Sequence, residues 1–434
     1  MHQSDHPGLH GTLEVPGDKS ISHRAVMFGS LAKGTTEVTH FLNGADCLST
    51  IDCFRKLGIE IEISGEQIRI HGKGLHGLTA PENILDCGNS GTTMRLLSGI
   101  LSGQPFPSVL TGDSSIQRRP MNRIISPLQE MGASITGKDG SGLAPLHISP
   151  ATLHGIVYHS PVASAQVKSC VLLAGMYADS PVTVYEPAVS RDHTERMLAA
   201  FGASLDVCQS EEMLLYSKEK PSVTIHPDPY LEALPIDVPG DISSAAYFMV
   251  AASLVPGSEV ILKNVGINPT RDGVLQVLQD MGADISVENV RFGGEPSADL
   301  VIRSAPLHGV VIEGALIPTL IDELPVLAVA AAAADGETAI RDAAELKVKE
   351  SDRIALVVDG LKRMGADAEA TPDGMIIRGN KPLQGALIDT RSDHRIAMSF
   401  AIAELVANGR NEYTDSDCVR ISYPGFYNDL RQLL

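Results

Sequence analysis

The chain has no C-x-x-C pair and no Cys/His ligand spacing. Its six cysteines are scattered at positions 47, 53, 87, 170, 208 and 418. That pattern indicates neither a zinc site nor a disulfide framework, and they read as small core residues. Long apolar runs are also missing. The longest, Leu324 to Ala334, falls short of the roughly 20 residues that a membrane span needs. Met1-His2-Gln3-Ser4-Asp5 lacks the basic-then-apolar pattern of a signal segment. Positive charge is scarce: 34 Lys and Arg face 53 Asp and Glu, for a formal net charge of −19. A nucleic-acid partner or an anionic membrane surface is therefore disfavoured. A soluble cytoplasmic protein is expected. In so acidic a chain, Lys and Arg grouped at helix starts point to a local use.

What is present is apolar bulk, with 43% hydrophobic residues in 434, enough for two domains of α/β type. One joint recurs: an amphipathic helix ends in Leu, Met or Phe followed by Gly, and an alternating strand follows. The copies are Leu57-Gly58, Met131-Gly132, Phe201-Gly202, Met281-Gly282 and Met364-Gly365. Gly at that position supplies the φ > 0 turn. Spacings of roughly 70–83 residues are too long for a solenoid and suit compact βαβ-type units. A sixth helix, from Phe426 to Leu434, runs to the chain end. Six units follow, three per half.

The halves echo each other. Pro16-Gly17-Asp18-Lys19-Ser20-Ile21-Ser22-His23-Arg24 follows a short strand, Leu13-Glu14-Val15, and opens a helix read to Lys33-Gly34. Val238-Pro239-Gly240-Asp241-Ile242-Ser243-Ser244 repeats it without the cations. The domains are therefore placed at 18–236 and at 1–17 with 237–434, joined by two crossing strands.

Several stretches carry polar groups suited to anions. Lys19/His23 and Ser20/Arg24 are i,i+4 pairs at a helix start, where backbone N–H groups and the macrodipole favour negative charge. An ordinary capped helix with solvated charges is the alternative. Asp86-Cys87-Gly88-Asn89-Ser90-Gly91 is a Gly-rich helix start that lets a ligand approach the backbone. Gln117-Arg118-Arg119-Pro120 sits in a loop. Ser164-Ala165-Gln166-Val167-Lys168-Ser169, Ser190-Arg191-Asp192-His193 and Ser392-Asp393-His394-Arg395 are cap-like helix starts. Asp322-Glu323 precedes the most apolar segment, where partial desolvation would raise a carboxylate toward general-base range. Lys347-Val348-Lys349-Glu350-Ser351-Asp352-Arg353 is the densest charge group; on a helix Lys349 and Arg353 are i,i+4.

In this order, P-G-D-K-S-I-S-H-R, G-N-S-G-T-T-M-R, Q-R-R-P, A-S-A-Q-V-K-S, P-G-D-I-S-S-A-A, I-D-E-L-P-V, V-K-E-S-D-R and D-H-R-I-A-M resemble the 5-enolpyruvylshikimate-3-phosphate synthases over nearly the whole chain. The bacterial type with A-S-A-Q-V-K-S and R-D-H-T is the most similar. The resemblance implies a two-domain inside-out α/β barrel, the enolpyruvyl transferase fold, with three βαβαββ units per domain. It implies transfer of the enolpyruvyl group of phosphoenolpyruvate to the 5-hydroxyl of shikimate 3-phosphate through a tetrahedral intermediate, with domain closure. No metal or organic cofactor is implied, and a monomer is expected. By motif position, Lys19, Ser20, Arg24, Ser164, Ala165 (backbone only), Gln166, Arg191, Asp322 and Lys349 would hold shikimate 3-phosphate. Lys19, Gly91, Arg119, Gln166, Arg353 and Arg395 would hold phosphoenolpyruvate. Asp322 would be the base, Glu350 the acid, and Lys19 a further catalytic group. The family is the target of glyphosate, and resistant members carry Ala at the position of Gly91.

Two departures stand out. Ile421 occupies the place where many members carry Lys, with Arg420 beside it, and Leu96 stands where many have Pro. The UDP-amino-sugar enolpyruvyl transferases are the nearest rival. They use a Cys in a loop of the N-terminal half, and Thr111 to Pro120 has none. A non-catalytic repeat scaffold is the other alternative, and it gives no reason for Asp322 with Glu350.

Overall fold

The computed structural model describes residues 8–208, 220–292 and 294–434. Contacts divide the chain into two compact units, Gly17–Val238 and Met1–Pro16 with Pro239–Leu434.

Within Gly17–Val238, three four-stranded sheets share one plan. In each, a parallel pair is extended by two antiparallel strands, and in the second and third sheets one helix forms the crossover of that pair. Ile236–Asp237 lies parallel to Lys33–Thr39, which pairs with Gln67–Lys73 and then Glu60–Ser64. Leu85–Asp86, Ser108–Thr111, Leu146–Ser149 and Ser134–Thr136 follow the same order. So do Val157–His159, Val182–Tyr185, Ser222–Ile225 and Leu205–Cys208. The helices Lys19–Leu31, Gly91–Ser102 and Ala165–Gly175 are buried almost throughout. Phe28, Leu97 and Leu172 there are fully inaccessible, each contributing about 1.5–3 kcal/mol of apolar burial.

The other unit repeats the plan twice. His10–Leu13 pairs parallel with Glu259–Gly266, followed by Ser297–Arg303 and Asp284–Arg291. Val311–Ile312, Glu337–Ile340, Met375–Arg378 and Asp367–Ala370 form the second sheet. The third differs: two parallel two-stranded ladders stand in its place, Leu383–Gln384 with Ala407–Asn408 and Leu387–Ile388 with Glu412–Tyr413. The final helix, Phe426–Leu433, packs on the strand His10–Leu13. The inner helices are Ile242–Leu254, Leu324–Ala333 and His394–Glu404.

All five Gly joints adopt one geometry. Gly58, Gly132, Gly202, Gly282 and Gly365 have φ of 87°, 94°, 100°, 94° and 90°. In each, the Gly N–H donates to the carbonyl three residues back and the next N–H to the carbonyl five back, as in Gly132 to Gln129 (2.9 Å) and Ala133 to Leu128 (2.9 Å). That is the Schellman cap, which only a residue tolerant of the left-handed region closes cheaply.

Three local expectations change. The first strand ends at Leu13, where its pairing with Leu262 ends, rather than at Val15. The first helix stops at Leu31, and Lys33-Gly34 begins the next strand. Lys349 to Asp352 is not helical. A 3-10 turn covers Ala344–Val348, and a new helix starts at Arg353, where Asp352 caps by accepting from Ala355 N.

Candidate active site

In Gly17–Val238 the polar groups gather at the N-terminal ends of the inner helices. Asp18 caps Lys19–Leu31 by accepting from Ile21 N. Lys19 Nζ lies 3.1 Å from Asp46 Oδ2, with both side chains largely buried. Arg24 is buried; its Nε donates to Thr194 Oγ1 (2.7 Å), Nη2 to Ser169 Oγ (3.0 Å) and Nη1 to the Ser20 carbonyl (3.0 Å). Ser90 caps Gly91–Ser102 through Thr93 N. Over Gly91 lie two guanidinium groups: a Cβ there would stand 2.7 Å from Arg95 Nη1 and 3.5 Å from Arg119 Nη1. Arg119 Nη2 donates to Asn89 Oδ1 at 2.6 Å. Gln166, in the first turn of Ala165–Gly175, accepts from Arg95 Nη1 (2.6 Å) and donates to Thr92 Oγ1 (3.1 Å). Ser164 is the N-cap residue of that helix, and Ala165 is its first residue. Arg191 is partly exposed just before the helix His193–Ala200. His23 is fully buried against Thr50 (Nδ1 to Oγ1, 2.7 Å). Burial, with Lys19 and Arg24 adding to it against Asp46, pushes its pKa down to about 3, so it is neutral.

In the other unit one arginine collects three carboxylates. Arg353, 2% exposed in its side chain, lies 3.2 Å from Asp322 Oδ1, 2.5 Å from Glu350 Oε2 and 2.9 Å from Asp393 Oδ2. Lys349 Nζ reaches the same Asp322 oxygen at 3.2 Å. The Asp322 carboxylate thus faces two cations just before the apolar helix Leu324–Ala333. Arg395 Nη1 donates to the Asp322 carbonyl (3.2 Å) and to Glu323 Oε1 (3.3 Å). Ser243 Oγ donates to that Glu323 oxygen and accepts from Arg271 Nη2 at 2.7 Å. Burial pushes Arg353 and Arg395 down, but their carboxylate neighbours, joined by Tyr247 at Arg395, hold both above the ordinary arginine range. Burial raises Asp393, yet Arg353 and then His394 hold it below the usual carboxylate range. Lys349, Arg353 and Arg395 each lie beside a carboxylate, which orients them.

The sequence matches the family described as EPSP synthase (3-phosphoshikimate 1-carboxyvinyltransferase) over residues 5–430. The chain belongs to the EPSP synthase family. A 3-phosphoshikimate 1-carboxyvinyltransferase of Desulforudis audaxviator is 56% identical over 98% of this chain and 97% of its own. One of Bacillus cytotoxicus is 53% identical over 98% of each. The solved EPSP synthase of Acinetobacter baumannii superposes with a TM-score of 0.87 at 47% identity, covering 98% of this chain and 96% of that one. The two-domain enolpyruvyl transferase fold is therefore the fold of this chain.

In this EPSP synthase family member, Lys19, Arg24, Gln166, Arg119, Asp322, Lys349, Glu350, Arg353 and Arg395 each join a polar network within their own unit, while several partners were not singled out from sequence. Arg95, Asn89, Thr194, Ser169 and Asp46 hold Gln166, Arg119, Arg24 and Lys19. Asn89, Arg95, Ser169 and Thr194 lie inside motifs read from the sequence, and Asp46 carried no signal. Arg420 is 75% exposed, with Asp417 at 4.0 Å. Leu96 is fully buried. A surface cavity of about 390 Å³, lined by Lys33, Lys73, His76, Asp228 and Tyr230 among others, includes none of the expected site residues. Glu60, Glu62 and His71 have metal-like spacing but lie on two adjacent strands of one sheet, with His71 Nε2 already 2.8 Å from Glu62. Among the described residues, no single helix is long and apolar enough to cross a membrane.

Proposed function

We infer that this chain transfers the enolpyruvyl group of phosphoenolpyruvate to the 5-hydroxyl of shikimate 3-phosphate, releasing phosphate. The observation that carries the reading is the family match along 5–430, supported by the gathering of Asp322 and Glu350 around Arg353. Asp322 takes the proton of the 5-hydroxyl as its oxygen attacks C2 of phosphoenolpyruvate. Glu350 gives a proton to the C3 methylene, forming a methyl group and a tetrahedral intermediate. The methyl then returns a proton to the Glu350 carboxylate, the C2–O bond breaks with its electrons leaving on phosphate, which takes the proton held by Asp322, and the C2–C3 double bond returns. Lys19, Arg119, Arg353 and Arg395, with Gly91 and Gln166, hold phosphoenolpyruvate. Lys19, Ser20, Arg24, Ser164, Ala165, Gln166, Arg191, Asp322 and Lys349 hold shikimate 3-phosphate. Phosphoenolpyruvate carries a phosphate and a carboxylate, and pre-oriented cations offset both without reorganising during the reaction.

The working form is proposed to be a cytoplasmic monomer with domains 18–236 and 1–17 with 237–434, acting on small molecules and not on nucleic acid; the net charge of −19 supports the last point. The test is phosphate release with each substrate withheld in turn. Release requiring both is expected. Release with a UDP-amino sugar in place of shikimate 3-phosphate would overturn the reading.

A further inference from the structure

Lys168 is used by no step above, yet its side chain is 0% exposed. A lysine is almost never fully buried unless it is paired. Its Nζ lies 2.8 Å from Glu186 Oε2 and 2.7 Å from Glu195 Oε1, and it donates to the Ser190 carbonyl at 3.3 Å. Ser190 Oγ in turn donates to Glu186 Oε1 at 2.6 Å. The ammonium thus makes two ion pairs and one hydrogen bond, all along one connection. Glu186 follows the strand Val182–Tyr185, Ser190 lies mid-connection, and Glu195 is in the first turn of His193–Ala200. The connection is therefore held at both ends and in the middle.

The residues beside these anchors are the ones proposed for shikimate 3-phosphate. Arg191 follows Ser190. Thr194 precedes Glu195, and its Oγ1 accepts from Arg24 Nε at 2.7 Å. Ser169, next to Lys168, accepts from Arg24 Nη2 at 3.0 Å and lies 2.6 Å from Thr194 Oγ1. A buried ion group is weak grounds for stability, since apolar residues of similar volume often serve as well. What it does supply is one fixed geometry.

We propose that Lys168 is a positioning residue for shikimate 3-phosphate, clamping the Glu186–Glu195 connection so that Arg191 and Arg24 are presented in one arrangement. The proposal rests on the reading that those two arginines bind this substrate. Burial lowers the Lys168 pKa, but Glu195 and Glu186 raise it further, so the net shift is upward and the clamp stays charged at neutral pH.

The test uses Lys168→Met, Glu195→Gln and Arg191→Ala in the full chain. Glu195→Gln keeps the Lys168–Glu186 pair and decides the matter if Lys168→Met does not fold. The expected result is a rise of about tenfold in the KM for shikimate 3-phosphate, with the KM for phosphoenolpyruvate within about twofold. Lys168→Met or Glu195→Gln combined with Arg191→Ala should then be clearly non-additive. Lowered melting temperatures with an unchanged shikimate 3-phosphate KM would overturn the clamp. If Arg191→Ala itself leaves that KM unchanged, the substrate reading of Arg191 has failed, a result separable from the first.

Discussion

Lys349 Nζ and Arg353 Nη1 meet the same oxygen of Asp322, each at 3.2 Å. Only one of the two lies on a helix, and Arg353 is its first residue. The carboxylate is thus aimed by two cations from different local structures, and Arg353 also fixes Glu350. Asp322→Asn and Glu350→Gln should each lower kcat by about 10²-fold or more with smaller effects on either KM, as expected for groups acting in proton transfer. Steady-state kinetics with both substrates varied check this, and near-normal turnover in either variant would remove its assigned role.

Gly91 gives the second prediction. The chain should be inhibited by glyphosate competitively with phosphoenolpyruvate. The atoms nearest to an added Cβ are the ends of Arg95 and Arg119, flexible groups that can yield. Gly91→Ala should therefore fold, displace those guanidinium groups slightly, and weaken glyphosate more than substrate. A methyl-sized intrusion discriminates by roughly 1–3 kcal/mol. Inhibition constants for both forms against varied phosphoenolpyruvate decide it; equal losses for inhibitor and substrate would refute it.

Arg420 stands beside Ile421, where many relatives place a lysine. Its side chain is three-quarters exposed, and its neighbour Asp417 is still more so. Exposed pairs of this kind contribute about 0–1 kcal/mol. Arg420→Ala is expected to change each KM by less than about twofold. A selective rise in the phosphoenolpyruvate KM would instead show that Arg420 supplies the charge.

His23 should make the protein acid-sensitive. Its pKa in the folded chain is about 3, below the ordinary value near 6.5. Above pH 6.5 both states are neutral and nothing is lost. As pH falls below 6.5 the unfolded chain gains the proton first, so stability drops by about 1.4 kcal/mol per unit until the folded pKa is reached. Between pH 7 and 5 the wild type should lose about 2 kcal/mol more than His23→Gln. Denaturant midpoints at the two pH values measure the difference, and parallel losses would show that His23 does not titrate in this window.

The repeating fold was legible because each Gly joint must use the same left-handed cap, and Gly282 or Gly365 announces it locally. Helix caps at Asp18 and Asp393 were legible for the same reason: the side chain and the N–H it satisfies are two or three residues apart. The pairing of Arg95 with Gln166, 71 residues away, had no local signature. Nor did the clamp between Lys168 and Glu195, since a lysine in an apolar helix gives no sign of which distant carboxylates will meet it. The charge run at 347–353 misled for a related reason. Its spacing suits a helix, but Asp352 caps a new one and breaks the run.

The strand His10–Leu13 takes its parallel partner from Glu259 onward, after the whole of Gly17–Val238 has intervened. During synthesis at about 5–20 residues per second, that partner emerges only after tens of seconds. The inserted unit has all its own strands by then and can finish folding while the first strand still waits. The growing chain therefore carries an unpaired strand through most of its translation, and its assembly is ordered in time from the inside outward.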